Sequence, residues 1–201
     1  MVRRIKLEQH EKVPWLNGRG LSWNIAMDIN HPDCETGQFG WRFATAKIDH
    51  SGAFSTYNNV DRIITLVRGN GFLLKWGESQ NAKLTASKIG DPKLFPGDAD
   101  THCELIDGPV QVLNLMVDRD LWRAEGNTRT SGQALELTLL ADVILLFTLQ
   151  QTQTVEVDGE ALELDALETV LLQPNGVGVQ LKSLGELTQP VYIASLTKKG
   201  S

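Results

Sequence analysis

Short apolar runs, broken by turn residues at nearly regular intervals, leave this chain little room for any fold but an all-β one. Gly69-Asn70-Gly71, Pro96-Gly97, Asp158-Gly159 and Pro174-Asn175-Gly176 separate segments rich in β-branched and aromatic residues. Those segments are WRFATAKI (41–48), RIITLV (62–67), GFLLKW (71–76), VQVLNLMV (110–117), VILLFTL (143–149), TVEVDG (154–159), TVLLQP (169–174), VGVQLKSL (177–184) and PVYIASL (190–196). Most have strand length, and several alternate at period two. In TVEVDGEALEL, Val155 and Val157 point one way and Glu156 the other, ahead of an Asp-Gly turn that accepts positive φ, which predicts a hairpin. Helical turns are expected only within DRDLWRAEG (118–126) and LTLLADV (137–143).

The β pattern repeats. LFPGDADTHCELIDG (94–108) and LLQPNGVGVQLKSLG (171–185) each open on leucine, turn at a Pro and a Gly, and close on glycine. Upstream of them, IITLVRGNGFLLKWG (63–77) and ILLFTLQQTQTVEVDG (144–159) occupy matching hairpin positions. The echo predicts two similar barrels in tandem, 1–120 and 121–201, joined within the polar stretch WRAEGNTRTSGQAL (122–135).

Composition narrows the function. Net charge is −6 with the basic residues scattered, which argues against nucleic-acid binding. No apolar run approaches membrane-spanning length, and MVRRIKLEQHEK leads into no apolar core of a secretion signal. Cys34 and Cys103 form no CxxC pair and read as reduced thiols, so a cytoplasmic protein is expected. His10, His31, His50 and His102 lack the close spacing of a ligand pair, so neither a metal nor another cofactor is expected. Ser22, Ser51 and Ser55 sit in no G-x-S-x-G elbow, and His102 and Cys103, adjacent on a strand, face opposite ways. WLNGRGLSWNIA (15–26) offers G-x-G, but Trp23 stands where a phosphate loop has its third glycine, and no helical period follows. The stretch is either a tight turn needing positive φ or a polar bend lining a pocket.

What remains is a polar cluster in the first half. On WRFATAKI, Arg42, Ala44, Ala46 and Ile48 share one face, so an arginine points into a space its small neighbours leave open. Arg42 then pairs with a neighbour such as Asp61, reaches solvent, or meets an anion. Arg62 and Ile64 share a face of the next long strand, and two arginines near a barrel opening can fork around a carboxylate. Asn114 interrupts VQVLNLMV and must find hydrogen bonds from backbone or ligand.

PWLNGRGLSWNIA, FGWRFATAKIDHSGAFSTYNNVDRIITLVRGNGFLL and FPGDADTHCELIDGPVQVLNLMV together resemble the HutD/Ves family, bacterial proteins often encoded with histidine-utilisation genes. The likeness covers about residues 13–118, in order and at matching spacing. It implies a bicupin: two tandem cupin-like (jelly-roll, double-stranded β-helix) barrels with little helix, the first holding a ligand pocket and the second structural. It also implies a non-enzymatic protein that regulates histidine utilisation by sensing N-formylglutamate, formate or a related small acid. Trp15, Asn17, Gly18, Gly20, Arg42, Phe54, Ser55, Arg62 and Asn114 occupy family positions. Arg19 replaces a family glycine, Ser22 a threonine and Asn24 a glutamate, changes that make the loop more receptive to anions or alter ligand choice. The expected binding set is therefore Asn17, Gly18, Arg19, Gly20, Ser22, Asn24, Arg42, Ser55, Arg62 and Asn114. The alternative is a cupin enzyme, an isomerase or hydrolase of a small organic acid, using a weakly held metal or an acid–base pair such as Asp61 with His102. Exposed sheet edges would also allow a homodimer.

Overall fold

A computed structural model of the chain describes residues 1–15, 20–28, 39–77, 81–174 and 177–200. The chain runs through β1 (Val2–Ile5), β2 (Glu11–Pro14), β3 (Leu21–Met27), β4 (Trp41–Ile48), β5 (Gly52–Ala53), β6 (Val60–Arg68), β7 (Phe72–Trp76), β8 (Ala82–Ala86), β9 (Pro92–Pro96), β10 (Thr101–Leu105) and β11 (Val110–Asp118). It continues through β12 (Trp122–Arg129), β13 (Ala134–Leu139), β14 (Val143–Thr148), β15 (Gln153–Val157), β16 (Glu160–Leu164), β17 (Thr169–Leu172), β18 (Val179–Glu186) and β19 (Val191–Lys198). A 3-10 turn at Leu7–Gln9 is the single helical element among the described residues, and no helix there is long and apolar enough to cross a membrane.

The chain divides into two compact units, Glu11–Trp122 and the union of Met1–His10 with Arg123–Ser201. In the first unit the sheets run β2-β3-β4-β11-β6-β9 and β5-β10-β7-β8. In the second they run β1-β17-β14-β19-β12 and β13-β18-β15-β16. Adding eight to each label of β4-β11-β6-β9 gives β12-β19-β14-β17, and the same shift carries β5-β10-β7-β8 onto β13-β18-β15-β16. Among the described residues each unit is thus an eight-strand, two-sheet jelly roll of the cupin type with additional strands at one edge. The hairpin read at Asp158-Gly159 is β15–β16, whose turn residues both take positive φ (51° and 83°), the geometry that matches strand twist.

Two expectations are corrected. Residues 118–126 hold a turn at 119–121 but no helix, and 137–143 hold no helix either. At 118–121 the Asp118 carboxylate accepts from the backbone N–H groups of Asp120 (2.8 Å) and Leu121 (3.3 Å), as a helix N-cap does, but Trp122 already begins β12 and the turn does not propagate. In 137–143, Leu137 and Leu139 pair with Leu181 and Val179 of β18 before the chain turns into β14. The first ten residues, expected in the first barrel, cluster with the second: β1 pairs antiparallel with β17, Arg4 opposite Val170 and Ile5 opposite Thr169. A strand with an open edge is completed by whichever segment reaches it, whatever its place in sequence.

The barrels differ inside. Leu135, Ile144, Leu146, Val155, Leu164, Val170, Leu181, Val191 and Ile193 form a continuous apolar core in the second. In the first, Leu66, Phe72, Leu74, Ala86, Cys103 and Val112 are equally buried, but the core shares its space with polar side chains.

The β1 attachment rests on one buried carboxylate. Glu168, whose side chain is 1% exposed, accepts from Arg4 Nε (2.8 Å) and Nη2 (2.9 Å) and from the Asp165 backbone N–H (2.8 Å). The Arg4 hydrogen bonds hold its pKa below the usual carboxylate value, against the opposing effect of burial. Because the folded-state pKa is depressed, the stabilisation is present above the unfolded pKa and is lost as pH falls through the folded one. Glu168→Gln is expected to destabilise the protein by about 2–3 kcal/mol at neutral pH. Urea melts between pH 7 and pH 4 should show a shallower acid loss in the variant than in the wild type.

Candidate functional site

Strand register organises one face of the first barrel into rows. Arg42 of β4, Met116 of β11, Arg62 of β6 and Phe95 of β9 lie side by side. The next row is Asn24 of β3, Ala44, Asn114 and Ile64, and the one after it Ser22, Ala46, Val112 and Leu66. Same-face rows lie roughly 7 Å apart along the strands, and adjacent strands roughly 5 Å apart. Arg42 and Arg62 are therefore separated by one strand, with backbones roughly 10 Å apart. Over these rows lies an open cavity with about 440 Å³ of empty space, its mouth and the solvent in it included. Ala44 and Ala46 contribute little bulk, which is why there is space between the arginines and the apolar floor.

Arg42 donates from Nε to Asn24 Oδ1 (2.6 Å) and from Nη1 to the Tyr57 hydroxyl (3.4 Å). Asp61, one expected partner, is taken instead by Arg119 at 2.8 Å, which also holds Asp98 at 2.9 Å. Arg62 is 6% exposed. Its Nη1 donates to the Ser55 carbonyl (3.2 Å), while Nε has no partner. Its guanidinium carbon stands 4.8 Å from the Phe95 ring centre, 5.2 Å from that of Phe54 and 5.7 Å from that of Tyr57. Burial pushes the Arg62 pKa down to about 10, and the charge of Arg42 acts in the same direction against the opposing influence of Tyr57, so the group stays protonated at neutral pH. Among the described residues, neither Arg42 nor Arg62 has a carboxylate partner.

Of the residues expected from sequence, Ser22, Arg42, Ser55, Arg62 and Asn114 line this one cavity, and Asn24 reaches it through Arg42. Asn17, Gly18 and Arg19 lie outside the described residues. Gly20 serves as a shelf for Trp15. A Cβ there would stand 2.7 Å from the Trp15 ring, whose indole N–H donates to Ser22 Oγ at 2.9 Å and whose edge meets Phe54 at 6.0 Å between ring centres. Tyr57 and Phe95 join the site although sequence reasoning did not select them. Tyr57 stood in FSTY as a recognisable pocket-type residue, but nothing local in the sequence pairs Phe95 with Arg62 across β6 and β9.

The expected acid–base pair is not assembled at the cavity. Asp61 is bound by Arg119, and His102 sits on β10 opposite Ala53 and Lys75; neither lines the space. Cys103 is fully buried and burial pushes its thiol up to about 12, which leaves it un-ionised and inert. Among the described residues, no group of three His, Cys, Asp or Glu side chains is placed to hold a metal.

The Trp15 wall is directly testable. Gly20→Ala should displace the indole and cost about 1–3 kcal/mol by overpacking. Ser22→Ala, which removes only the indole's acceptor, should cost about 1 kcal/mol. Chemical denaturation of the two variants checks this order.

The sequence matches the profile of the family described as HutD over residues 7–188. An uncharacterized 21.2 kDa protein from the hutC 3′ region of Pseudomonas putida is 30% identical over 146 residues, which cover 70% of this chain and 73% of the relative. Protein Ves of Citrobacter koseri is 34% identical over 112 residues, 55% of each chain. HutD from Pseudomonas fluorescens SBW25, solved in a formate condition, superposes with a TM-score of 0.80 at 25% identity across 100% of both chains. A conserved Pseudomonas aeruginosa PAO1 protein of unknown function does so with a TM-score of 0.84, also at 25% identity and 100% coverage of both. Salicylate 1,2-dioxygenase from Pseudoaminobacter salicylatoxidans shares the fold alone, with a TM-score of 0.61 at 10% identity, over 100% of this chain and 86% of the enzyme. The family profile spans both barrels, and the two-barrel topology is that of the HutD structure, so the chain belongs to the HutD family.

Proposed function

We propose that this protein binds a small carboxylate in the first barrel without transforming it, and that binding regulates histidine utilisation, with N-formylglutamate, formate or a related small acid as the ligand. One observation carries the reading: two guanidiniums flank Met116 over a cavity and have no carboxylate among the described residues. A buried charge left without its counter-charge is costly, and a carboxylate entering the cavity would remove that cost with charge-assisted hydrogen bonds. The Arg62 Nε–H is buried and has no partner, so a carboxylate that reached it would find it unspent. The P. putida relative from the hutC 3′ region and the family itself support the link to histidine utilisation.

Thermal shift and calorimetry with formate, N-formylglutamate, urocanate and other small acids test this. A ligand that binds only the folded state at a hundred times its Kd should stabilise it by about 2.7 kcal/mol. Arg42→Ala should weaken the tightest acid at least tenfold. Arg42→Lys should not fully restore it, because a point charge cannot reproduce the guanidinium fork. Stabilisation by none of the acids, with Arg42→Ala indistinguishable from wild type, would overturn the reading.

A further inference from the structure

Asn114 is the feature of this cavity that an anion alone does not explain. It occupies the next row along the strands from the arginines, with Ala44 on one side and Ile64 on the other, neither of which has a side-chain polar atom. Its Oδ1 is buried with no hydrogen-bond partner, and no hydrogen bond to its amide nitrogen forms among the described residues. The carboxamide is therefore unspent beside a cavity lined there by Ala44, Ala46, Ile64 and Val112, with its oxygen buried. A buried amide without partners costs several times what a satisfied one contributes. The sheet itself supplies none: the flanking positions on β4 and β6 are apolar, and Asn24, in the same row one strand further out, has its Oδ1 engaged by Arg42.

From this we infer that the site takes a bifunctional acid: a carboxylate held by Arg42 and Arg62, with an amide or hydroxyl on the same molecule that reaches Asn114 one row further along the strands. The inference rests on the anion-binding reading and adds a selectivity to it. The ligand's N–H or O–H satisfies Asn114 Oδ1, and its carbonyl or hydroxyl oxygen accepts from Nδ2. An ionised acid without that group leaves the carboxamide unpaired. Sites built to hydrogen-bond a ligand group reject analogues lacking it far more strongly than apolar pockets reject an extra methylene. Asn114 is thus the specificity-determining residue, and the arginines supply general affinity for anions.

Matched pairs test it by calorimetry: glycolate against acetate, 3-hydroxypropionate against propionate, 4-hydroxybutyrate against butyrate, and succinamate against butyrate. The series moves the polar group stepwise away from the carboxylate, because the row spacing of roughly 7 Å sets the separation along the strands but not the linker length. At least one polar acid is expected to bind tenfold or more tighter than its plain counterpart, and Asn114→Leu is expected to bring that ratio toward one. Should Asn114→Leu fail to fold, the wild-type ratios decide alone. Equal affinities within every pair would overturn the inference while leaving anion binding intact. Binding of no acid in either set would overturn both.

Discussion

A guanidinium held inside a barrel without a carboxylate organises the rest of this molecule. Moving a charge out of water costs several kcal/mol even after relaxation. Around Arg62 that cost is met in part by three aromatic faces within 5.7 Å and one carbonyl acceptor. Desolvated cation–π contacts are worth about 2 kcal/mol or more each, which offsets much of that cost while the Nε–H is left without a partner. The placement of Phe54, Tyr57 and Phe95 follows from this need. Ala44 and Ala46 do the opposite work by leaving space where larger side chains would close the barrel.

The second barrel is the internal comparison. It has the same strand order, yet the interior of β14, β15, β17, β18 and β19 is filled by leucine, isoleucine and valine. One topology thus supports a packed core in one copy and a charged cavity in the other, and the difference lies in a few inward positions rather than in the fold. The likeness to a dioxygenase at 10% identity makes the same point from outside: the jelly roll is shared, and the chemistry belongs to the side chains placed within it.

Much of this was legible in the chain because a strand's period of two assigns faces without knowing its partners. WRFATAKI was enough to put Arg42 with Ala44 and Ala46, and VQVLNLMV was enough to single out Asn114. Register was not legible. That Arg42 and Arg62 flank the same methionine, and that Phe95 stands beside Arg62, depends on pairings between strands far apart in sequence. The same limit misplaced the first ten residues, since VRRI carries no mark of the strand it completes. At 118–126 the chain keeps only a turn at 119–121, because Trp122 already begins the strand β12. The contact of Gly20 with the Trp15 ring was not legible either, because nothing in WLNGRG marks a glycine that lies beneath an indole.

The central claim is that the unspent Nε–H of Arg62 is the anchor for a ligand's carboxylate. Side-chain NMR of protein labelled with ¹⁵N-arginine reads that atom directly, with the Arg62 signal assigned by its loss in Arg62→Lys. Titration with the tightest-binding small acid should shift the Arg62 Nε–H resonance saturably, with the dissociation constant found by calorimetry, and should slow its exchange with water. An Arg62 resonance that stays in place while calorimetry reports a saturated protein would contradict the account.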